Sequence, residues 1–83
     1  MKIGESLLKK LNKQYEPSTI VALQFRGYDI ALKTDEDGNA IVLFIGQADE
    51  TGIIKGNRYA RRLVKDKNGN VIKDHWDYKG KTS

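Results

Sequence analysis

Four short turn signals limit what this chain can fold into: Arg26-Gly27, DEDGN (35–39), DETG (49–52) and DKNGN (66–70). After Ser18 they separate runs rich in β-branched and aromatic residues: TIVALQFR, YDIALKT, AIVLFIGQA, IIKGNRYARRLVK and NVIKDHWDY. Such runs, bounded by Gly, Asn and Asp, read as strands. A parallel pair needs a crossover of about a dozen residues or more, and no gap here supplies one. The strands must therefore run as a five-stranded antiparallel meander.

Two of the hairpins echo each other. YDIALKTDEDGNAI (28–41) and YARRLVKDKNGNVI (59–72) share Tyr, Leu, Asp, Gly, Asn and Ile at a constant offset of 31. Both loops are Asp-x-(Asp/Asn)-Gly-Asn, the pattern of a type I turn closed by a left-handed glycine. As three-residue loops, Glu36-Asp37-Gly38 and Lys67-Asn68-Gly69 set Leu32 against Val42 and Ile30 against Phe44. In the second hairpin they set Val64 against Ile72, Arg62 against Asp74 and Ala60 against Trp76. A tight turn at Arg26-Gly27 sets Phe25 against Tyr28, Leu23 against Ile30 and Val21 against Leu32.

With these registers one sheet face collects Val21, Leu23, Phe25, Tyr28, Ile30, Leu32, Val42 and Phe44. The other carries Gln24, Asp29 and Lys33, but also Ala22, Ala31, Ile41, Leu43 and Ile45. Upstream, GESLLKKLNKQY places Leu7, Leu8, Leu11 and Tyr15 on one helical stripe, predicting a helix over about 4–15 that starts at Gly4 or Ser6 and stops before Pro17. One such helix covers one face. Each aliphatic side chain left in water forfeits about 1.5–3 kcal/mol, so the second face must be closed as well. Two closures fit: a strongly bent sheet, near half a barrel, completed by a homodimer, or long fourth and fifth strands that fold over to finish a small monomeric barrel.

At 83 residues the chain has the length of a single domain, 1–83, with a thin core. It has no cysteine, which excludes a disulfide scaffold and cysteine-ligated zinc and fits the reducing cytoplasm. The N-terminal apolar run is too short for a signal peptide or a membrane span. Net charge is +4, divided as six Lys/Arg against eight Asp/Glu in residues 1–54 and nine against three in 55–83. That basic C-terminal third suits an anionic partner.

The chemistry-bearing residue types do not assemble into a reaction. KDHWDY (73–78) holds the lone histidine and the lone tryptophan, but on a strand Asp74, Trp76 and Tyr78 face one way and Lys73, His75 and Asp77 the other. One imidazole set opposite Arg61 is a poor metal ligand. No serine lies in a nucleophile elbow. The carboxylate pairs Asp35/Asp37 and Asp49/Glu50 sit in exposed turns, where nothing drives two pKa values apart. Counting from Asp35 or Asp66, glycine falls fourth, not sixth as a calcium loop requires. GIIKGNR lacks the Gly-Lys-Ser/Thr ending of a phosphate loop. The chain reads as no enzyme, with no cofactor.

Cations and aromatics do interleave near the C-terminus. Arg58, Arg61, Arg62 and Lys73 surround Tyr59, Trp76 and Tyr78, a combination that sheet-based single-strand nucleic-acid binders use for phosphates and bases. Across the same region, GNRYARRLVKDKNGNVIKDHWDYKGK (56–81) resembles short uncharacterised bacterial proteins, some likened in shape to lipocalins. The resemblance implies a compact β-rich domain with no assigned activity, and it carries over no functional residue. Five strands are little more than half of the eight-stranded lipocalin cup.

The reading is a mainly β binding or interaction module, self-associating, for an apolar small molecule or a protein partner, and not for a membrane. Its candidate contact residues are Phe25, Leu43, Phe44, Ile45, Tyr59 and Trp76. The alternative is single-stranded nucleic-acid binding through Arg58, Arg61, Arg62 and Lys73.

Overall fold

The computed structural model describes residues 3–82. A short helix, α1 (Glu5–Leu11), precedes β1 (Ile20–Phe25), β2 (Tyr28–Thr34), β3 (Ala40–Ala48), β4 (Ile54–Lys65) and β5 (Val71–Thr82). The strands form one antiparallel sheet in the order β1-β2-β3-β4-β5. Each strand pairs with its sequence neighbours, as the short turns require. β1 and β5 end the sheet without pairing to each other, so the barrel expected as one closure does not form.

The β1–β2 register matches expectation residue for residue: Phe25 opposes Tyr28, Leu23 opposes Ile30 and Val21 opposes Leu32. Arg26 and Gly27 both take positive φ, 50° and 83°, the mirror-image turn whose twist suits a two-residue hairpin. The next hairpin departs by one residue. Its three-residue loop forms, with Gly38 N–H donating to Asp35 O at 3.1 Å and Asp35 N–H donating to Asn39 O at 2.9 Å. Thr34 then opposes Ala40, but a bulge follows at once, and Leu32 meets Leu43 while Ile30 meets Ile45. The second echo does the same: Lys65 opposes Val71, then Val64 meets Lys73, Arg62 meets His75 and Arg61 meets Trp76.

Because side chains alternate along a strand, a one-residue slip turns the whole strand over. The expected faces of β3 are therefore reversed. Leu43 and Ile45, expected on the uncovered face, are 0% and 1% exposed in the core, and Val42 and Phe44 take the opposite face. Trp76 opposes Arg61, not Ala60, and Asp74 opposes Leu63, not Arg62.

The helix is also shorter than expected. It runs seven residues from an uncapped Gly4 to Leu11, with Glu5 in its first turn and Lys9 and Lys10 in its last, as the helix dipole favours. Tyr15 leaves the stripe because its backbone is taken by the first echo loop, its N–H donating to Gly38 O at 2.9 Å. Its ring still packs against the core, and its hydroxyl donates to Lys10 O at 2.7 Å. Leu7 and Leu11 seat on Ile30, Leu32, Ala40, Leu43, Ile45 and Tyr59. α1 thus covers the face that holds Leu43 and Ile45 and leaves the other face bare.

Candidate interaction surface

The bare face is laid out by the registers. One row across it reads Ala22, Ala31, Phe44 and Arg58, and the next reads Ile20, Lys33, Val42, Ala60 and Asp77. Ala31, Val42 and Phe44 are half-buried, whereas Ala22 and Ile20 stand out in water. At the β3–β4 end Gly46 opposes Gly56, and a Cβ on either would run into the partner strand's backbone. Ala48 and Ile54 complete a groove with Ile20, Ala22 and Ala31, with a volume of about 590 Å³. Asp29 fixes the groove's end by accepting the Ala48 N–H at 2.8 Å. On the β4–β5 side the same face becomes cationic, with Arg58, Arg62 and Lys73 all exposed. His75 also lies there, its Nε2 2.8 Å from Asp77 Oδ1 on the same strand face.

The helix-covered face has a cleft of its own. Leu8, Tyr59, Asp74, Trp76 and Tyr78 border a space of about 410 Å³ where α1 stops short of β5. Tyr59 and Tyr78 rings meet at 5.3 Å with a 58° tilt. Arg61 lies beneath, its guanidinium carbon 5.7 Å from the Trp76 ring centre. It donates to both Asp74 oxygens at 2.6 Å, to Ala40 O at 3.3 Å and to Asn12 Oδ1 at 3.2 Å. That bidentate bond holds the Asp74 carboxyl below the ordinary carboxylate range. Arg61 is thus a clamp that joins the end of α1, the start of β3 and β5. Trp76 Nε1 is buried without a hydrogen-bond partner among the described residues.

These positions sort the candidate residues. Leu43 and Ile45 lie in the core under α1, so no partner reaches them there, and Tyr59 is buried at the core edge with its ring bordering the cleft. Phe25 is half-buried at the core rim with Arg26 over its ring at 5.3 Å, and Trp76 lines the cleft. Phe44 alone of the six belongs to the bare face. Among the cations, Arg58, Arg62 and Lys73 are exposed on that face, whereas Arg61 points into the core side with 8% of its side chain exposed. Apart from Arg61, the candidate cations of the C-terminal hairpin therefore fall on the face opposite Tyr59, Trp76 and Tyr78. Sequence reading did not nominate Ile20, Ala22, Ala31, Val42 and Ile54. Ala22 and Ala31 were expected on the uncovered face and lie there, whereas Val42 was placed on the wrong face by the one-residue slip in β3.

The acidic turns are occupied by their own backbone. Asp35 Oδ1 accepts the N–H groups of Asp37 and Asn39, Asp49 Oδ1 those of Thr51 and Ile53, and Asp66 Oδ1 those of Asn68 and Asn70. Burial alone would raise the Asp35 carboxyl, but these donors outweigh it and set it low. The Thr51 hydroxyl does this first for Asp49, and the Asn70 N–H for Asp66. Among the described residues no group of three or more His, Cys, Asp or Glu is placed to hold a metal ion. No described helix is long and apolar enough to cross a membrane. Comparison with protein-family models, with curated proteins and with solved structures finds no match.

Proposed function

We propose that this protein is a non-catalytic interaction module whose working surface is the helix-free face of the sheet. One observation carries this reading: α1 shields a single face, while Ala22, Ala31, Val42 and Phe44 line the other with no element among the described residues packed over them. Contiguous apolar surface of this sort, rimmed by polar groups, is characteristic of binding sites. The groove is open and shallow, which suits a protein surface better than an enclosed small molecule. Arg58, Arg62 and Lys73 on the same face favour a partner that offers apolar side chains and carboxylates. The turn carboxylates satisfy backbone donors, and His75 pairs with Asp77 at the surface, so neither supports acid–base catalysis. A cysteine-free chain suits a reducing compartment such as the cytoplasm.

Anilinonaphthalene sulfonate, an anionic aromatic probe, tests the surface directly. Amide shifts should move at Ala22, Ala31 and Phe44, and Phe44→Ser should abolish them. Shifts confined to Trp76 and Tyr78 would put the site in the other cleft and overturn this reading. A second reading, single-stranded nucleic-acid binding, rests on Phe44 standing opposite Arg58 with Arg62 on the same strand face. It requires salt-sensitive shifts at Phe44 and Arg58 on adding oligothymidylate.

A further inference from the structure

The two edges of the sheet differ sharply in how they are guarded. Natural sheets blunt their edges with lysines, bulges or coverage, because unpaired strand backbone templates further pairing. β5 follows that rule: Lys73, Lys79 and Lys81 stand along it, and irregularities interrupt its pairing with β4 between Arg58 and Tyr59 and between Val64 and Lys65. β1 does not. Its sequence is IVALQF, six residues with no charge, no proline and no glycine, paired in regular register with β2.

The direction of its free backbone groups follows from the turn. In a two-residue hairpin the residues flanking the loop exchange hydrogen bonds, so Phe25, Leu23 and Val21 bond inward to β2. The Thr34 N–H donating to Thr19 O at 2.9 Å continues that alternation. Ile20, Ala22 and Gln24 therefore direct N–H and C=O away from the sheet, and their side chains lie exposed on the helix-free face. Ile20 is 70% exposed, the highest value among the large hydrophobic residues.

We propose that β1 pairs antiparallel with β1 of a second copy, joining two sheets edge to edge into one continuous sheet across a two-fold axis. A strand without charge meets its own copy with no like-charge repulsion, and a two-fold contact closes after two chains. The charges that flank β1 are opposite: Glu16 precedes it and Arg26 follows it, so antiparallel pairing brings each Arg26 toward the other copy's Glu16. A β1-to-β5 contact would instead propagate without end, and the β5 lysines oppose it. Opposed residues in an antiparallel pair share a face, so the two apolar grooves become neighbours on one side of the joined sheet. The pairing uses the β1 backbone edge and does not use Phe44, so Phe44 variants distinguish it from binding on the helix-free face.

Light scattering and amide hydrogen exchange on the full chain test this together. The expected result is a dimer in which the Ala22 and Gln24 amides gain protection as concentration rises. Ala22→Pro deletes an outward N–H that β2 does not use, and prolines are tolerated at such edge positions. It should weaken the dimer at least about tenfold, since each copy loses an interface hydrogen bond. Ala22→Lys, which leaves the backbone intact, should weaken it in the same direction. A chain that stays monomeric at its highest soluble concentration overturns the proposal. So does a dimer whose Ala22 and Gln24 amides exchange freely, or one that survives Ala22→Lys and is split by Phe44→Lys.

Discussion

The two echo hairpins share a loop and a bulge but not an environment. Counting 31 residues forward, the Ile30–Ile45 pair of β2–β3 becomes Arg61–Trp76 in β4–β5, and Leu32–Leu43 becomes Leu63–Asp74. The first hairpin puts aliphatic pairs under α1. The second puts a cation over an indole and a carboxylate beside a leucine, at the rim where α1 has ended. Loop chemistry therefore fixes hairpin shape, and the strand residues decide which hairpin becomes core. The outer hairpin replaces burial with the Arg61 clamp.

The largest expected effect tests that division at its matched positions. Ile30→Ala leaves a cavity at a site only 1% exposed and should cost about 3–4 kcal/mol in urea unfolding. Arg61→Ala removes charged hydrogen bonds to Asp74, Ala40 and Asn12 and should cost about 2 kcal/mol. Equal losses at the two sites would break the distinction between core and clamp.

The loop glycines give a finer comparison. Gly38 and Gly69 have nearly the same φ, 84° and 85°, so an added side chain meets the same backbone strain. Gly69 opens to solvent, with nothing near its missing Cβ, whereas a Cβ at Gly38 would collide with the Tyr15 carbonyl. Gly69→Ala should cost about 1 kcal/mol and Gly38→Ala about 2–3 kcal/mol, read from unfolding midpoints. If the two variants match, the contact between the loop and the Tyr15 backbone contributes nothing.

Much of this was legible in the chain. The turn residues located every connection, and short gaps enforced the meander, so the limits of β1 to β4 agree closely with the runs of β-branched residues, whereas β5 runs on to Thr82, past the expected end at Tyr78. The Arg26-Gly27 register was readable because a two-residue turn fixes the pairing of the residues that flank it and no bulge intervenes. The bulges were not readable. Ile41 and Ile72 look like ordinary strand residues, yet each falls where the partner strand's pairing skips, and nothing local to either marks it. That single omission put Leu43 and Ile45 on the wrong face and Phe44 in the core. The helix was overextended for a different reason: Tyr15 fits the helical period, but a tertiary bond to Gly38 claims its backbone.

Acid titration separates the two loops by the smallest expected effect. In the folded chain Asp35 and Asp66 both titrate below the ordinary carboxylate value. Their contribution to stability is therefore present above the unfolded value and is lost as pH falls below it and through the folded one. For Asp66 the donors are all local, led by the Asn70 N–H. For Asp35 burial opposes the shift, the Asn39 and Asp37 N–H groups reverse it, and the charge of Lys65 adds to it from the neighbouring hairpin. Lys65 reaches that loop through Asp37, its Nζ 2.7 Å from Oδ2, and the bond raises its own pKa. Asp35→Asn and Asp66→Asn should each flatten the acid limb of the unfolding midpoint. Added salt should shrink the difference between wild type and Asp35→Asn while leaving the Asp66→Asn difference unchanged, because screening reaches the Lys65 charge but not a backbone hydrogen bond. Equal salt responses would mean that Lys65 does not couple the hairpins electrostatically, leaving Arg61 and the β3–β4 ladder to hold them together.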